Sequence, residues 1–495
     1  MTDSLTITKI NNTWIKLDCD LSMLYELDDV FSFLVPGYQH MPLYKEKVWD
    51  GQIHLINIHK SRTYTGLLPD LKKFCEARDY DFFYTEEEIP NSISREECFS
   101  FVNELNLHSK GDPLEVRDYQ YAAIYSALSN RRQTIISPTA SGKSLIIYSL
   151  IRYLMSNENT DVLLIVPTKS LVVQMYKDFQ DYSTHNGFDV ESNTHIIMGG
   201  YEKVTNKSIT ISTWQSIYKQ HISWFQKYGA VIIDECHTVQ AKALTSILEK
   251  MVNTPWRFGF TGSLNNSLTH QMMIQAVLGP ITKVATTKEL IDQGHLANIK
   301  IKTVSLKYSD DLKKQVKKMP YQDEIKFLCG HTPRNKFIRN LALSLKGNTL
   351  ILFTRVEEHG RILYELISDK REENVHYIHG GTDVLDRDDV RRITEESNDS
   401  IIVASVGTFS TGINIKRLNN IIFASPTKSV IRVLQSIGRG LRKAEDKDVF
   451  TLYDIADDLS WKTKINHTYL HFGERLKLYT AENLPYTITE VPIGN

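Results

Sequence analysis

Apolar positions along the chain fall into short, nearly continuous runs, separated by stretches in which they recur every three or four residues. Thr134–Ile136, Val162–Val166, Ser208–Ile211, Ala230–Ile233 and Phe258–Phe260 read as strands, with helices such as Lys143–Met155 and Ser170–Tyr182 between them. Unbroken apolarity implies burial on both faces, the mark of a parallel sheet covered by helices. A second set of the same kind follows, with strands at Thr349–Phe353, Val375–Ile378, Ile401–Ala404, Asn420–Phe423 and Val449–Leu452. Trp461 to Tyr479 is an aromatic-rich amphipathic stretch and reads as a helix packed on the second set. The expected fold class is α/β: two tandem parallel-sheet domains, a small α+β N-terminal domain and a helical C-terminal extension. The boundaries read as 1–104, 105–297, 298–457 and 458–495.

The first region differs in charge and pattern. Residues 1–35 hold two lysines against six carboxylates, whereas residues 36–75 hold six Lys or Arg against three. The basic block is interleaved with Tyr38, Tyr44, Trp49, Tyr64 and Phe74. Val48 to Ile53 reads as a hairpin about Asp50-Gly51, and Leu71 to Ala77 as a helix. Cations among aromatics suit phosphate contact with base stacking, and equally suit a wet face over a small aromatic core. Glu86-Glu87-Glu88 marks a domain edge and Gly111-Asp112-Pro113 a linker, while the lysines from Lys300 to Lys318 read as a solvated face.

Composition narrows the class. The 495 residues are 41% hydrophobic and 24% charged, with a net charge of −1, so attraction to any polyanion must be local. No apolar run reaches membrane-spanning length, and the start lacks the form of a signal peptide. The expected setting is soluble and intracellular. Five scattered cysteines show no metal-ligand spacing, which points to a reducing interior without disulfides or zinc.

Chemistry concentrates at Ser137 to Ser144. Strand, small-residue loop and helix start form the context of a phosphate-binding loop ending in Gly142-Lys143-Ser144. Backbone N–H groups at Thr139, Ala140, Ser141 and Gly142 face the anion with the helix N-terminus, Lys143 adds a charge, and the Ser144 hydroxyl suits Mg²⁺. Ser137 stands where the usual pattern has its first glycine. The strand Ala230–Ile233 runs into Asp234-Glu235-Cys236-His237. Asp234 suits Mg²⁺ and Glu235 suits orienting or deprotonating water; a helix cap is the plainer reading of the pair. Far downstream, Arg439 and Arg442 share a helix face and suit arginine fingers on a γ-phosphate, the plainer reading being a surface pair. With the phosphate loop confined to the first α/β run, ligand is expected outside the carboxyl ends of the strands, between the two runs.

Together, Arg117-Asp118-Tyr119-Gln120, Ser137–Ser144, Pro167-Thr168-Lys169, Ser212-Thr213-Trp214-Gln215, Asp234–His237, Thr261-Gly262-Ser263, Phe353-Thr354-Arg355, Ala404–Asn414 and Gln435–Arg442 resemble the ordered motifs of superfamily 2 helicases. The resemblance implies two RecA-like domains using ATP and Mg²⁺. It assigns adenine to Gln120 with Arg117 nearby, phosphates to Lys143 and Ser144, and γ-phosphate sensing to Gln435, Arg439 and Arg442. It gives nucleic-acid backbone contacts to Thr168, Lys169, Thr213, Gln215, Thr354, Arg355 and Thr408. Coupling falls to Thr261, Ser263 and Thr411, with Gly412 where the two sites join. Such contacts position a strand without reading its sequence. Gly37-Tyr38, Trp49-Asp50-Gly51, Phe74-Cys75, Phe31-Ser32-Phe33 and Phe409–Ile413 further resemble the UvsW recombination helicases of large tailed phages. That likeness implies a motor on branched or single-stranded DNA, with RNA met in RNA–DNA hybrids, in the cytoplasm of a bacterial host. The alternatives are an RNA helicase and an ATP-switched binding protein that does not translocate.

Overall fold

Every position from Val162 to Val166 is buried, and a strand without a wet face needs cover on both sides. The computed structural model describes residues 3–85, 93–240, 242–262, 264, 268–412, 415, 417–425, 437–438, 441 and 449–494. Among these, the first large sheet has seven strands, all paired parallel. Their order is Thr194–Ile197, Ile209–Thr213, Asp161–Val166, Tyr228–Asp234, Trp256–Thr261, Arg132–Ile136, Ile281–Lys283. Leu164 sits centrally, opposite Ile211 on one side and Ile232 on the other. Four of the five expected runs lie within strands, and Ser208–Ile211 does so from Ile209 onward. Thr194–Ile197 and Ile281–Lys283 were not expected: they are short edge strands, and each has partly exposed positions that break the apolar signal.

The second sheet is also seven-stranded and parallel among the described residues. Its order is Val375–Ile378, Ile401–Ser405, Thr349–Phe353, Asn420–Phe423, Val449–Asp458, Asn298–Lys307, Tyr486–Pro492. Val449–Asp458 runs six residues past its expected end at Leu452. The excess holds buried carboxylates with buried partners: Arg475 Nη2 donates to Asp454 at 2.8 Å and Arg334 Nε to Asp457 at 2.7 Å. Asn298–Lys307 went unread because Lys300 and Lys302 alternate with buried Ile299, Ile301 and Thr303. Those lysines do lie on the wet side, but of a strand. The C-terminal helix spans His467–Ala481, and Tyr486–Pro492 then adds an edge strand beside Asn298–Lys307.

The chain divides into two compact units, Met1–Ser137 with Gly142–Ala285, and Pro138–Ser141 with Thr286–Asn495. The N-terminal segment therefore does not stand apart. Its sheet, in the order Arg62–Tyr64, Trp14–Asp18, Ser4–Lys9, Asp81–Tyr84, carries the helices Leu21–Val30 and Leu68–Glu76. Leu5, Ile7, Ile15 and Leu27 share one apolar cluster with Leu163, Ile165, Ile233 and Leu248 of the first large sheet and its covering helix. Arg257 is fully buried at this junction and donates to Thr13 Oγ1 and Met251 O, both at 2.6 Å. Gly66 lies so close to the helix Leu268–Leu278 that a Cβ there would be 2.1 Å from Gln275 O.

A loop from Val35 to Gly51 leaves this module between two short antiparallel strands, Ser32–Leu34 and Gln52–His54. The expected hairpin at Val48 to Ile53 is corrected here. Gly51 does turn the chain at φ 86°, but the strand that follows pairs with Ser32–Leu34 and not with the residues just before it. Tyr38 and Tyr44 pack edge to face at 4.7 Å inside the loop, and Trp49 Nε1 donates to Gln52 O at 2.7 Å, so Val48-Trp49 has no strand to join. His54 closes the base of the loop, with Nδ1 2.9 Å from Asp28 and Nε2 2.8 Å from Asp50.

Two outcomes follow from this packing. Gly66→Ala forces the module off its neighbouring helix, and thermal unfolding will show a loss of about 1–3 kcal/mol, the usual size for overpacking. Desolvation works against charge on His54, but its hydrogen bonds to Asp50 and Asp28 outweigh it and raise its pKa above the ordinary 6.5. The raised folded-state value makes this tie complete below pH 6.5 and weaker as pH climbs through the shifted value. Proteolysis within Val35–Gly51 will accelerate over that climb, and His54→Gln will flatten the profile.

Candidate functional site

The phosphate loop begins where the strand Arg132–Ile136 ends. Ser137 is fully buried and donates its backbone N–H to Thr261 O at 2.9 Å, continuing the pairing of the strand before it. The missing glycine is thereby explained. Positive φ is needed at Ala140 (68°) and Gly142 (83°), not at Ser137. An alanine held there stores strain, as functional loops often do. A Cβ at Gly142 would also meet Gln120 Nε2 at 2.4 Å, so a side chain there would displace the Gln120 amide. Gln120 Oε1 accepts from the Arg117 N–H at 2.9 Å, and Arg117 Nη1 donates to Tyr119 OH at 3.1 Å. The start of the helix Asp118–Asn130 is thus fitted against the loop.

Lys143 and Ser144 open the helix Lys143–Asn157. Lys143 Nζ donates to Ser137 O at 3.1 Å, and the Ser144 hydroxyl lies 2.7 Å from Tyr182 OH. Asp234 ends a strand that is buried on both faces and is 5% exposed. Burial, then the charge of Glu235, pushes its carboxyl up to about 7 against the pull of Lys143. The hydroxyl of Ser144 and the carboxylate of Asp234 are hard oxygen donors, the kind Mg²⁺ accepts in ones and twos beside phosphates.

Glu235 is held at φ 52°, a left-handed conformation unusual for its type. Its Oε2 lies 3.2 Å from His237 Nδ1, which is 3.1 Å from Thr261 Oγ1, and Thr261 Oγ1 is itself 3.5 Å from the carboxylate. The three side chains form a closed triangle. Sequence reasoning gave His237 no role. Here it stands where it can fix the Glu235 carboxylate.

At the carboxyl ends of neighbouring strands lies a groove of about 590 Å³, lined by Pro167, Thr168, Lys169, Met198, Gly199, Gly200, Lys203, Thr213, Gln215 and Ser216. Thr168 caps the helix Lys169–Tyr182 by accepting from the Leu171 N–H at 3.3 Å, and Thr213 Oγ1 lies 2.9 Å from Ser216 Oγ. The structure therefore brings Thr168, Lys169, Thr213 and Gln215 to one surface. Gly199, Gly200 and Lys203 were missed, although a glycine pair ahead of a lysine was a readable signal once the strand Thr194–Ile197 was recognised.

In the second unit, Thr354 is exposed, and its N–H donates to Ser425 Oγ at 3.2 Å. Arg355 pairs with Glu358 and donates to Gln322 Oε1 at 2.9 Å. Thr408 is buried, its hydroxyl 2.7 Å from Ser405 Oγ. Behind them, His359 Nδ1 meets Ser425 Oγ at 2.9 Å, and burial, then the charge of Arg334, pushes His359 down to about 3. Nothing in the sequence singled out Ser425 or His359. Thr411 and Gly412 end the helix Val406–Gly412. Ser263, Gln435, Arg439 and Arg442 lie outside the described residues.

Comparison with known proteins finds likeness over most of the chain. Residues 7–85 match the family described as DNA helicase UvsW, N-terminal; residues 113–266 match type III restriction enzyme, res subunit; and residues 333–444 match the helicase conserved C-terminal domain. The ATP-dependent DNA helicase uvsW of Enterobacteria phage T4 is 33% identical, over 96% of this chain and 97% of that protein. The DNA 3′-5′ translocase XPB2 of Sulfurisphaera tokodaii is 24% identical over 77% of this chain and 88% of its own length. The crystal structure of T4 UvsW superposes with a TM-score of 0.54, at 31% identity, covering 99% of both chains.

Proposed function

Because the chain belongs to the UvsW family of ATP-dependent DNA helicases, we propose that its substrates are branched DNA: Holliday junctions, stalled forks, D-loops and R-loops. The supporting observation is the N-terminal module. It shares its core with the sheet that carries the phosphate loop, and it holds out a loop on which Leu43 (54% exposed) and Val48 (72% exposed) flank Lys45 and Lys47. Apolar side chains among cations suit a point where base pairs are opening and phosphates crowd together. Motor and branch contact would then move as one body. By kinship the setting is the cytoplasm of a bacterial host, and no helix among the described residues is long and apolar enough to cross a membrane.

In this reading Lys143 and the N–H groups of Thr139, Ala140, Ser141 and Gly142 hold the phosphates. Arg117 and Gln120 hold adenine, while Gly412, Gln435, Arg439 and Arg442 complete the nucleotide site. Mg²⁺, held by Ser144 and Asp234, supplies charge neutralisation on the phosphates. Glu235 orients and deprotonates the attacking water. Thr168, Lys169, Thr213, Gln215, Thr354, Arg355 and Thr408 grip the DNA backbone, and Thr261, Ser263 and Thr411 report between the two sites. The triangle of Thr261, His237 and Glu235 supports that last role, since a shift of Thr261 is felt at the carboxylate directly and through His237.

Glu235→Gln will lower ATP turnover by about 100-fold or more, the span expected for losing a general base, while leaving nucleotide affinity near the parental value. Turnover at the parental rate sinks the base assignment. ATPase activity at fixed salt, with single-stranded DNA, duplex, a four-way junction or RNA added, tests the substrate. The junction will stimulate most. Leu43→Ala with Val48→Ala will lower that stimulation roughly tenfold, the equivalent of about 1.4 kcal/mol, and spare stimulation by single strands. Stimulation by RNA alone rules out the branched-DNA reading.

A further inference from the structure

Ser144 is placed by its motif, but its hydroxyl partner is not. Tyr182 lies 38 residues downstream, at the last position of the helix Lys169–Tyr182, and its OH is 2.7 Å from Ser144 Oγ. The phenol is held firmly. Tyr182 is 9% exposed and its ring lies 5.6 Å from that of Tyr148, a fully buried residue whose own hydroxyl is 2.6 Å from Ser183 Oγ and 2.7 Å from Arg152 Nη1. Asn186 Nδ2 donates to Tyr182 O at 3.3 Å and pins the helix end.

A serine hydroxyl has one proton and two lone pairs. When a lone pair goes to a cation, the O–H becomes a stronger donor and must point away from the metal toward an acceptor. The group that accepts this hydrogen bond fixes the direction of the lone pair, as partners of metal ligands commonly do. Tyr182 OH stands where such an acceptor is needed. The other end of its helix is capped by Thr168, which lines the groove assigned to nucleic acid. A helix of 14 residues spans about 21 Å, so one rigid element runs between groove and metal ligand.

Resting on the ATP-site reading above, we propose that Tyr182 is a positioning residue for Ser144. Its oxygen accepts a hydrogen bond from the Ser144 hydroxyl, aims the Ser144 lone pair at the divalent cation, and makes the helix Lys169–Tyr182 a link from the DNA groove to the metal. No bond is made or broken in this role, and Tyr182 stays protonated throughout.

Mn²⁺ is a suitable probe because its binding is read by electron paramagnetic resonance without turnover. With the full chain and ADP, Tyr182→Phe keeps the ring and removes the acceptor. It will weaken Mn²⁺ binding about tenfold, the lower end of the usual effect for a partner of a metal ligand. ADP affinity without metal and the thermal midpoint will stay at parental values. In a Ser144→Ala background the same change will have no further effect, which separates positioning from general packing. Single-stranded DNA will shift Mn²⁺ affinity in the parental protein and not in Tyr182→Phe. Parental Mn²⁺ affinity in Tyr182→Phe, or an undiminished loss in the Ser144→Ala background, overturns the positioning role. An equal shift by DNA in both proteins overturns the link. If Ser144→Ala itself binds Mn²⁺ like the parent, the metal-site reading falls instead.

Discussion

A carboxylate at the end of a strand with no wet face is the constraint around which the first unit is arranged. Asp234 has a second carboxylate, Glu235, as its chain neighbour, and burial already disfavours its charge. Such a group is tolerable where positive charge can be brought to it. The topology does this by putting the phosphate loop at the carboxyl end of the next strand but one, with only Trp256–Thr261 between, so that Lys143 acts on Asp234. Parallel pairing matters here. It gathers strand ends, loop and helix N-terminus on one rim of the sheet, where an anion and a cation can complete the charge balance together.

The N-terminal module adds a second constraint of a different kind. Arg257 is buried without a carboxylate among its hydrogen-bond partners, which are carbonyls and the Thr13 hydroxyl. A guanidinium so placed is costly unless every donor is used, and use of the donors requires Thr13 of the module to be present. Together with the backbone approach at Gly66, this makes the module part of the folded unit. Removing it would strip Leu163, Ile165 and Leu248 of apolar neighbours as well as removing any contact it makes with nucleic acid. The function of the projecting loop is therefore better probed at its exposed tip than by truncation.

What could be read from the sequence follows from how each element signals itself. Interior strands announce themselves because both faces are apolar; edge strands such as Ile281–Lys283 do not. The strand Asn298–Lys307 was hidden by lysines at alternate positions, and the polar end of Val449–Asp458 by acids whose arginine partners come from distant helices. The motif residues of the first unit were legible as a set because phosphate and backbone chemistry demand particular side chains at particular strand ends. The role of His237, and the residues Tyr182 and Ser425 altogether, were not, since a residue that acts by holding another needs only to be close in space.

One regularity among the candidate contacts bears on how such a site could alternate between states. Thr168 lies 3.0 Å from the Ser170 hydroxyl, Thr213 is paired with Ser216, Thr408 with Ser405, and Ser144 with Tyr182. In each case one partner is another hydroxyl. A hydroxyl both donates and accepts, so either member of the pair can turn its proton toward an incoming phosphate, or its lone pair toward a cation, while still bonding the other. A threonine held by a carboxylate would have to abandon a charged partner to do the same, leaving that charge poorly solvated. Within the proposed reading, hydroxyl pairs therefore keep each contact preorganised before ligand arrives and release it at small cost afterwards, which a motor that must bind and let go at every step requires.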